Sequence, residues 1–208
     1  FQQMWVQWAS LDNFIFHIHD CPDIVEACLE EMGRILRAAY DIIHRAAGLF
    51  PLPCVDITDN ITAPVIGEAY FRRYCVPYYN ELADRLSDFH IPVFVHMDGD
   101  LKPLWPLIGD SGLDGIDSMS PPPDNDTSVA DAHRMWPEMR ICINFPSSVH
   151  IMEPDQIRRH TREILAQAGN TGRLSIDLSE NVPPTAWRTS LPIIAAEIAA
   201  FGTPAVYR

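Results

Sequence analysis

The sequence predicts an α/β protein with a parallel sheet, and more narrowly a (β/α)8 TIM barrel whose N-terminal part lies outside this sequence. Three observations carry that expectation. Short apolar runs alternate with longer amphipathic ones, the pattern of strands joined by helical crossovers in a parallel sheet. Polar residues recur where the apolar runs end, the edge from which a barrel builds its site. Only five strands and one further segment are visible, so the barrel is expected to be incomplete on its N-terminal side, with its first strands upstream of Phe1.

Taken in order, "MWVQWAS" (4–10), rich in apolar and aromatic residues, reads as the further strand. "CPDIVEACLEEMGRILRAAYDIIHRAAG" (21–48) is a long amphipathic helix opening at Pro22 and stopping at Gly48. The five strands are "CVDIT" (54–58), "VFVHM" (93–97), "GIDSM" (115–119), "ICINF" (141–145) and "LSIDL" (174–178). Each is short, carries Val, Ile or other apolar residues, and is bounded by turn residues. Between them, 67–89 has helical spacing with a bend at Pro77, and 127–136, 153–169 and 184–201 are helical too. Pro154 and Asp155 mark one helix start and Gly169 its stop. No Gly-rich phosphate loop follows the first strand, which argues against a dinucleotide fold. No repeat, low-complexity tract or linker divides residues 1–208, so one domain is expected, with "SPPPDND" (120–126) as a stiff surface loop.

Composition narrows the function classes. The 208 residues are 47% hydrophobic and 21% charged, ordinary for a soluble domain. No run approaches the roughly 20 apolar residues of a membrane helix, and no leader-like segment opens the chain. The net charge of −13 arises from 28 acids against 15 bases, and Lys102 is the sole lysine. Such a surface repels phosphate backbones, so nucleic acid is not an expected partner. Cys21, Cys28, Cys54, Cys75 and Cys142 form no CxxC pair. They read as reduced, buried, metal-free thiols in a cytoplasmic protein.

Chemistry concentrates in "VFVHMDGD" (93–100). His96 and Asp98 are two apart on a strand and so point to one face. Gly99 allows a sharp exit, and Asp100 then reads as the N-cap of the next helix. A second polar strand end, Ser179-Glu180-Asn181, runs into Pro183-Pro184, which hold off the next helix and place Glu180 at a strand mouth. There a carboxylate can ligate or act as acid or base. Other strand-end groups are Asp59, Asn144 and, as a weaker candidate, His150. His17, His19, Trp5 and Trp8 are expected to pack.

The order "VDITDNIT", "YFRRYCVPYYNEL", "IPVFVHMDGDLKPLWPLIGDSGLDGID", "MRICINFPSSVHIMEPDQIRRHTREIL" and "LSENVPPTAW" resembles the uroporphyrinogen decarboxylase superfamily. That superfamily includes cobalamin-dependent methyltransferases. Pro77-Tyr78-Tyr79 and Pro183-Pro184 are its best anchors, and the resemblance covers nearly the whole chain. It implies a (β/α)8 barrel. In the methyltransferase branch a His-x-Cys strand end and a second Cys before the Pro-Pro loop hold zinc. Here His96 keeps its identity, Asp98 stands at the first Cys position and Glu180 at the second. In the decarboxylase branch the Glu180 position is a catalytic His, so neither pattern is intact. Asp59 and Asn60 match the acidic pair that members carry at the preceding strand end.

The resemblance thus implies a metal set of His96, Asp98 and Glu180, with Glu180 and Asp59 as catalytic carboxylates. Asn60, Asn144 and His150 are expected on the substrate side. Two carboxylates neutralise a dication as two thiolates do but favour a harder ion, Zn²⁺ first, with Mn²⁺ or Fe²⁺ as alternatives. The leading functional expectation is a metal-assisted, methyltransferase-like enzyme acting on a small methylated or hydroxylated substrate. Its partners would be that small molecule and a corrinoid protein, and a homodimer is the oligomer considered. Uroporphyrinogen decarboxylase is the alternative, set lower because a polyanionic substrate meets few cations in these loops. A non-enzymatic binding barrel is the third.

Overall fold

The computed structural model describes residues 1–180 and 182–202; Asn181, flagged in the sequence, lies outside them. The five expected strands form: β1 (Val55–Ile57), β2 (Val93–His96), β3 (Gly115–Met119), β4 (Arg140–Asn144) and β5 (Leu174–Asp177). All pair in parallel in the order β1-β2-β3-β4-β5, each strand beside its successor in sequence. A doubly wound sheet reverses its strand order partway. This one does not, which is how successive units of a (β/α)8 barrel run.

The two faces of the sheet differ in chemistry. Val93, Val95, Ile116, Ile141 and Ile143 are wholly buried beneath a helical layer. Register places Asp56 beside Phe94, His96 beside Asp117, and Asn144 beside Asp177 on the opposite face. There Asp56 and Asp177 are exposed and His96, Asp117 and Cys142 half-buried. The apolar face supplies the burial energy, and the polar face leaves titratable groups accessible.

The helical layer consists of α1 (Leu11–Asp20), α2 (Pro22–Ala47), α3 (Ala63–Tyr74), α4 (Val76–Leu86), α5 (Trp105–Gly109), α6 (Val129–Met135), α7 (Pro154–Ala168) and α8 (Trp187–Phe201). Phe71, Leu82, Leu86, Ile108 and Ile157 anchor it in the main core. The helix expected over 67–89 is two, parted at Cys75, with Pro77 in the first turn of α4 where its missing N–H costs nothing. The start of α7 carries the expected Pro154, reinforced by a capping box between Glu153 and Gln156.

Three sequence expectations need correcting. Met4–Trp8 is a short π-helical turn, not a strand. Its rings pack along a helical face, Phe1 on Trp5 at 5.1 Å and Trp5 on Phe14 at 5.6 Å, and β1 gains no partner there. Asp100 is not the N-cap of the next helix: its carboxylate accepts the Asp126 N–H instead. The five cysteines are all free, as expected, but Cys54 is exposed and only Cys75 is buried. Burial pushes the Cys75 thiol up to about 12 and Cys142 up to about 11, so those two resist ionisation. The same protection does not extend to Cys54.

Candidate metal centre

Strand β2 ends with His96 on the polar face, and the chain then makes a tight exit through Met97, Asp98 and Gly99. Gly99 is required by proximity. A Cβ there would sit 2.2 Å from the Thr62 side chain and 2.9 Å from the Ile61 carbonyl. The Gly99 N–H in turn donates to that carbonyl, tying the β1 and β2 exits together.

The loop "SPPPDND" does more than cover the surface. Asn125 Nδ2–H donates to the Asp98 carbonyl at 2.6 Å. The Asp126 carboxylate accepts the N–H groups of Leu101 and Lys102 at 2.9 and 3.2 Å. These bonds fix the backbone on both sides of Gly99 and hence the direction of the Asp98 side chain. Sequence reasoning missed them because an Asn-Asp pair in a Pro-rich loop looks like turn chemistry.

Glu180 arrives from the exit of β5. Asn144, at the end of β4, receives the backbone N–H groups of Ser179 and Glu180 on its Oδ1, at 3.2 and 3.1 Å. Its Nδ2–H donates to Ser120 Oγ. Asn144 is 1% exposed and both ends of its amide are engaged. It holds the Glu180 loop, whereas the sequence reading placed it on the substrate side.

With the loops so held, His96, Asp98 and Glu180 each present one donor atom, all within 4.8 Å of one another. His96 Nε2 lies 3.8 Å from Asp98 Oδ2. Donors on a tetrahedral ion with bonds of about 2.1 Å stand roughly 3.4 Å apart, so a small inward adjustment would seat one. Among the described residues no Lys or Arg pairs with these carboxylates, and the ion-pair contact of Asp98 is to His96. His96 is raised above the ordinary histidine value, chiefly by Asp98, with Asp117 adding and burial opposing. Burial first and Asp117 second raise Asp56 as well as Asp177, the mark of crowded acids, with His96 offsetting part of the rise at Asp56.

A second grouping lies on the same face: Asp117, Cys142 and Asp177 also place donor atoms within 4.8 Å of one another. That bears on the expectation that no cysteine binds metal, although the Cys142 thiol is held protonated by burial and by the two acids.

The remaining candidates stand apart from the three. Asp59 accepts the Tyr79 hydroxyl at 3.0 Å and lines a separate cavity of about 420 Å³ with Tyr40, Tyr74 and Tyr78. Asn60 is exposed on the β1 exit. His150 is 2% exposed, its Nδ1 lies 2.7 Å from Ser190 Oγ, and Phe145 packs against its ring. It clasps the turn after β4 to α8 and does not open to a substrate.

Among the described residues, His150 Nε2 and both ring nitrogens of His133 are buried without a hydrogen-bond partner. Burial lowers both histidines below their ordinary value of 6.5. Each is neutral in the fold, whereas the unfolded chain takes up protons near 6.5. Their stabilising effect is therefore complete above that pH and lost as pH falls from it toward the lowered native values. Thermal melts between pH 8 and 5.5 should show this loss, at most about 1.4 kcal/mol per pH unit for each histidine. The slope should shrink in His150→Gln. An unchanged slope would remove His150 from the account.

Fold and site together define an α/β protein with a candidate metal centre where parallel strands end. The family model for uroporphyrinogen decarboxylase (URO-D) matches residues 11–188, and the chain belongs to that family. Among solved structures it is similar to a methyltransferase from Methanosarcina mazei, with a TM-score of 0.57 at 14% identity. The match covers 91% of this chain and 54% of that one, so this sequence spans about half the length of that relative. None of the curated proteins matches the chain. Among the described residues, no helix is long and apolar enough to cross a membrane.

Proposed function

We propose that the chain is the C-terminal part of a (β/α)8 barrel enzyme that binds a divalent ion through His96, Asp98 and Glu180. Its activity would be methyltransferase-like, on a small methylated or hydroxylated substrate, with a corrinoid protein as partner. The observation that supports this is the convergence of one imidazole and two carboxylates from separate loops within 4.8 Å. One nitrogen and two oxygens suit Zn²⁺, and also Mn²⁺ or Fe²⁺. When bound, such an ion would supply a Lewis acid that polarises a substrate oxygen or activates a water.

The chain's own residues have distinct tasks in this reading. His96 and Asp98, on and just after a strand braced by Asn125 and Asp126, give the rigid part of the site. Glu180, on its loop, is the most exposed of the three ligands and could exchange the ion for a proton at the substrate. Asp59, in its separate cavity, and Asn60, exposed at the exit of β1, stand apart from the three and are given no role at the ion.

Family membership favours a second reading, decarboxylation of uroporphyrinogen. Against it stands the rim itself, where Asp56, Asp98, Asp177 and Glu180 would face a polyanion. Each close pair of like charges costs about 4 kcal/mol at an intermediate dielectric.

The test is elemental analysis of protein purified without chelator, followed by assays of uroporphyrinogen turnover and of methyl transfer to a corrinoid protein. Bound metal at close to one ion per chain, with methyl transfer and no decarboxylation, is expected. Decarboxylation unaffected by chelator would replace this reading with the second. A protein with neither metal nor activity would leave a binding barrel.

A further inference from the structure

We propose that Asp117 is a positioning residue that sets the tautomer and orientation of His96 at the candidate centre. The proposal rests on the reading of His96 as a ligand and adds a residue to it. Asp117 Oδ2 lies 3.1 Å from His96 Nδ1, within hydrogen-bond reach, whereas the Asp98 oxygen is 3.8 Å from Nε2. An ionised carboxylate only accepts, so the short contact places the ring proton on Nδ1. Nε2 then carries a lone pair directed to the side where Asp98 and Glu180 gather. An imidazole ligates through one nitrogen while the other donates to a carboxylate, and that outer bond selects which nitrogen is free.

The backbone around Asp117 is built for this contact. His96 and Asp117 are register partners on the polar face. The pairing of β3 with β4 then slips between Ile116 and Met119, and Ser118 adopts φ 60°, a left-handed conformation that a non-glycine residue enters at a cost of about 1 kcal/mol or more. In that conformation Ser118, 1% exposed, donates its hydroxyl to Asp117 Oδ2 at 2.8 Å. The oxygen facing His96 is thus held from below by its own neighbour. Ordinary strand geometry would send the Ser118 side chain to the opposite face. The irregularity therefore serves the Asp117 side chain, which remains 27% exposed and has no packing role large enough to explain it.

The experiment compares wild type with Asp117→Ala, Asp117→Asn and Asp177→Asn, the last on the same face but not bonded to His96. Nitrogen-15 NMR of labelled histidine, on metal-free protein at pH 9, reads the His96 tautomer directly. Competition against a zinc chelator reads affinity and stoichiometry. Wild type and Asp177→Asn should show the Nδ1–H form, and Asp117→Ala should shift toward Nε2–H. Zinc should bind roughly 10- to 100-fold more weakly in Asp117→Ala at unchanged stoichiometry, with Asp117→Asn between, since its amide oxygen still accepts. An unchanged tautomer in Asp117→Ala overturns the proposal. So does loss of a bound ion in Asp117→Ala and Asp177→Asn alike, which would make Asp117 a ligand in the group with Cys142. Wild type that binds no zinc would end the metal reading, while the tautomer shift would still establish the positioning of His96.

Discussion

His96→Ala should deprive the protein of tight metal binding. Of the three convergent side chains it is the only nitrogen donor, and it is the one held from behind by a hydrogen bond. Loss of an outer partner alone costs roughly 10- to 100-fold in metal affinity, so loss of the ligand should exceed about 100-fold. Asp98→Ala should rank next, because the Asp98 backbone is fixed by Asn125 but its carboxylate shares the charge with Glu180. Glu180→Ala should cost least, since Glu180 is exposed on a loop that Asn144 holds by its backbone. His96 is 19% exposed on the open face, so these losses should come without a large change in melting temperature. Chelator competition on the three variants, with melts alongside, gives the ranking. A His96→Ala protein that binds zinc as tightly as wild type would remove the centre from this location.

The ease of reading differed from one part of the chain to another for physical reasons. Strands β1 to β5 were visible because both signals coincide in each: an apolar run on the helix side and a polar residue at the exit. His96 and Asp98 stood out because strand periodicity alone puts them on one face. Glu180 could be placed beside them only through the family resemblance, since nothing local links residue 96 with residue 180. Asp117 lies inside "GIDSM" and not at its exit, so the strand-end signal does not mark it. The available signal was an acid in mid-strand between Ile116 and Ser118, on the side that parallel register gives to His96. The brace by Asn125 and Asp126 left no such signal, because which backbone a loop acid grips is decided by tertiary approach. Met4–Trp8 misled because apolar and aromatic residues suit a strand as well as a helical turn, in which Phe1 and Trp5, four apart, meet edge to face.

Trp136→Ala should destabilise the fold by about 3–5 kcal/mol, the usual cost of deleting a buried tryptophan. Trp136 is 2% exposed at the end of α6, packed so tightly that a Cβ on Gly109 would approach its ring to 3.1 Å. At about 2–4 °C per kcal/mol for a chain of this size, the melting temperature should fall by roughly 6–20 °C. The indole also starts a hydrogen-bonded chain toward the centre. Its Nε1–H donates to the Trp105 carbonyl, and Trp105 Nε1–H donates to Thr127 Oγ1. The Thr127 hydroxyl donates to Asp126, whose carboxylate grips Leu101 and Lys102 just past the Asp98 exit. Trp136→Phe keeps most of the packing and removes only the first link, so it should cost about 1–2 kcal/mol. Zinc affinity should weaken in Trp136→Ala, by less than in His96→Ala, because the brace at Asp98 loosens while every ligand remains. Equal melting temperatures for the Ala and Phe variants would show that the hydrogen bond, not the buried volume, carries the stability. Unchanged zinc affinity in Trp136→Ala would uncouple this part of the core from the loop that aims Asp98.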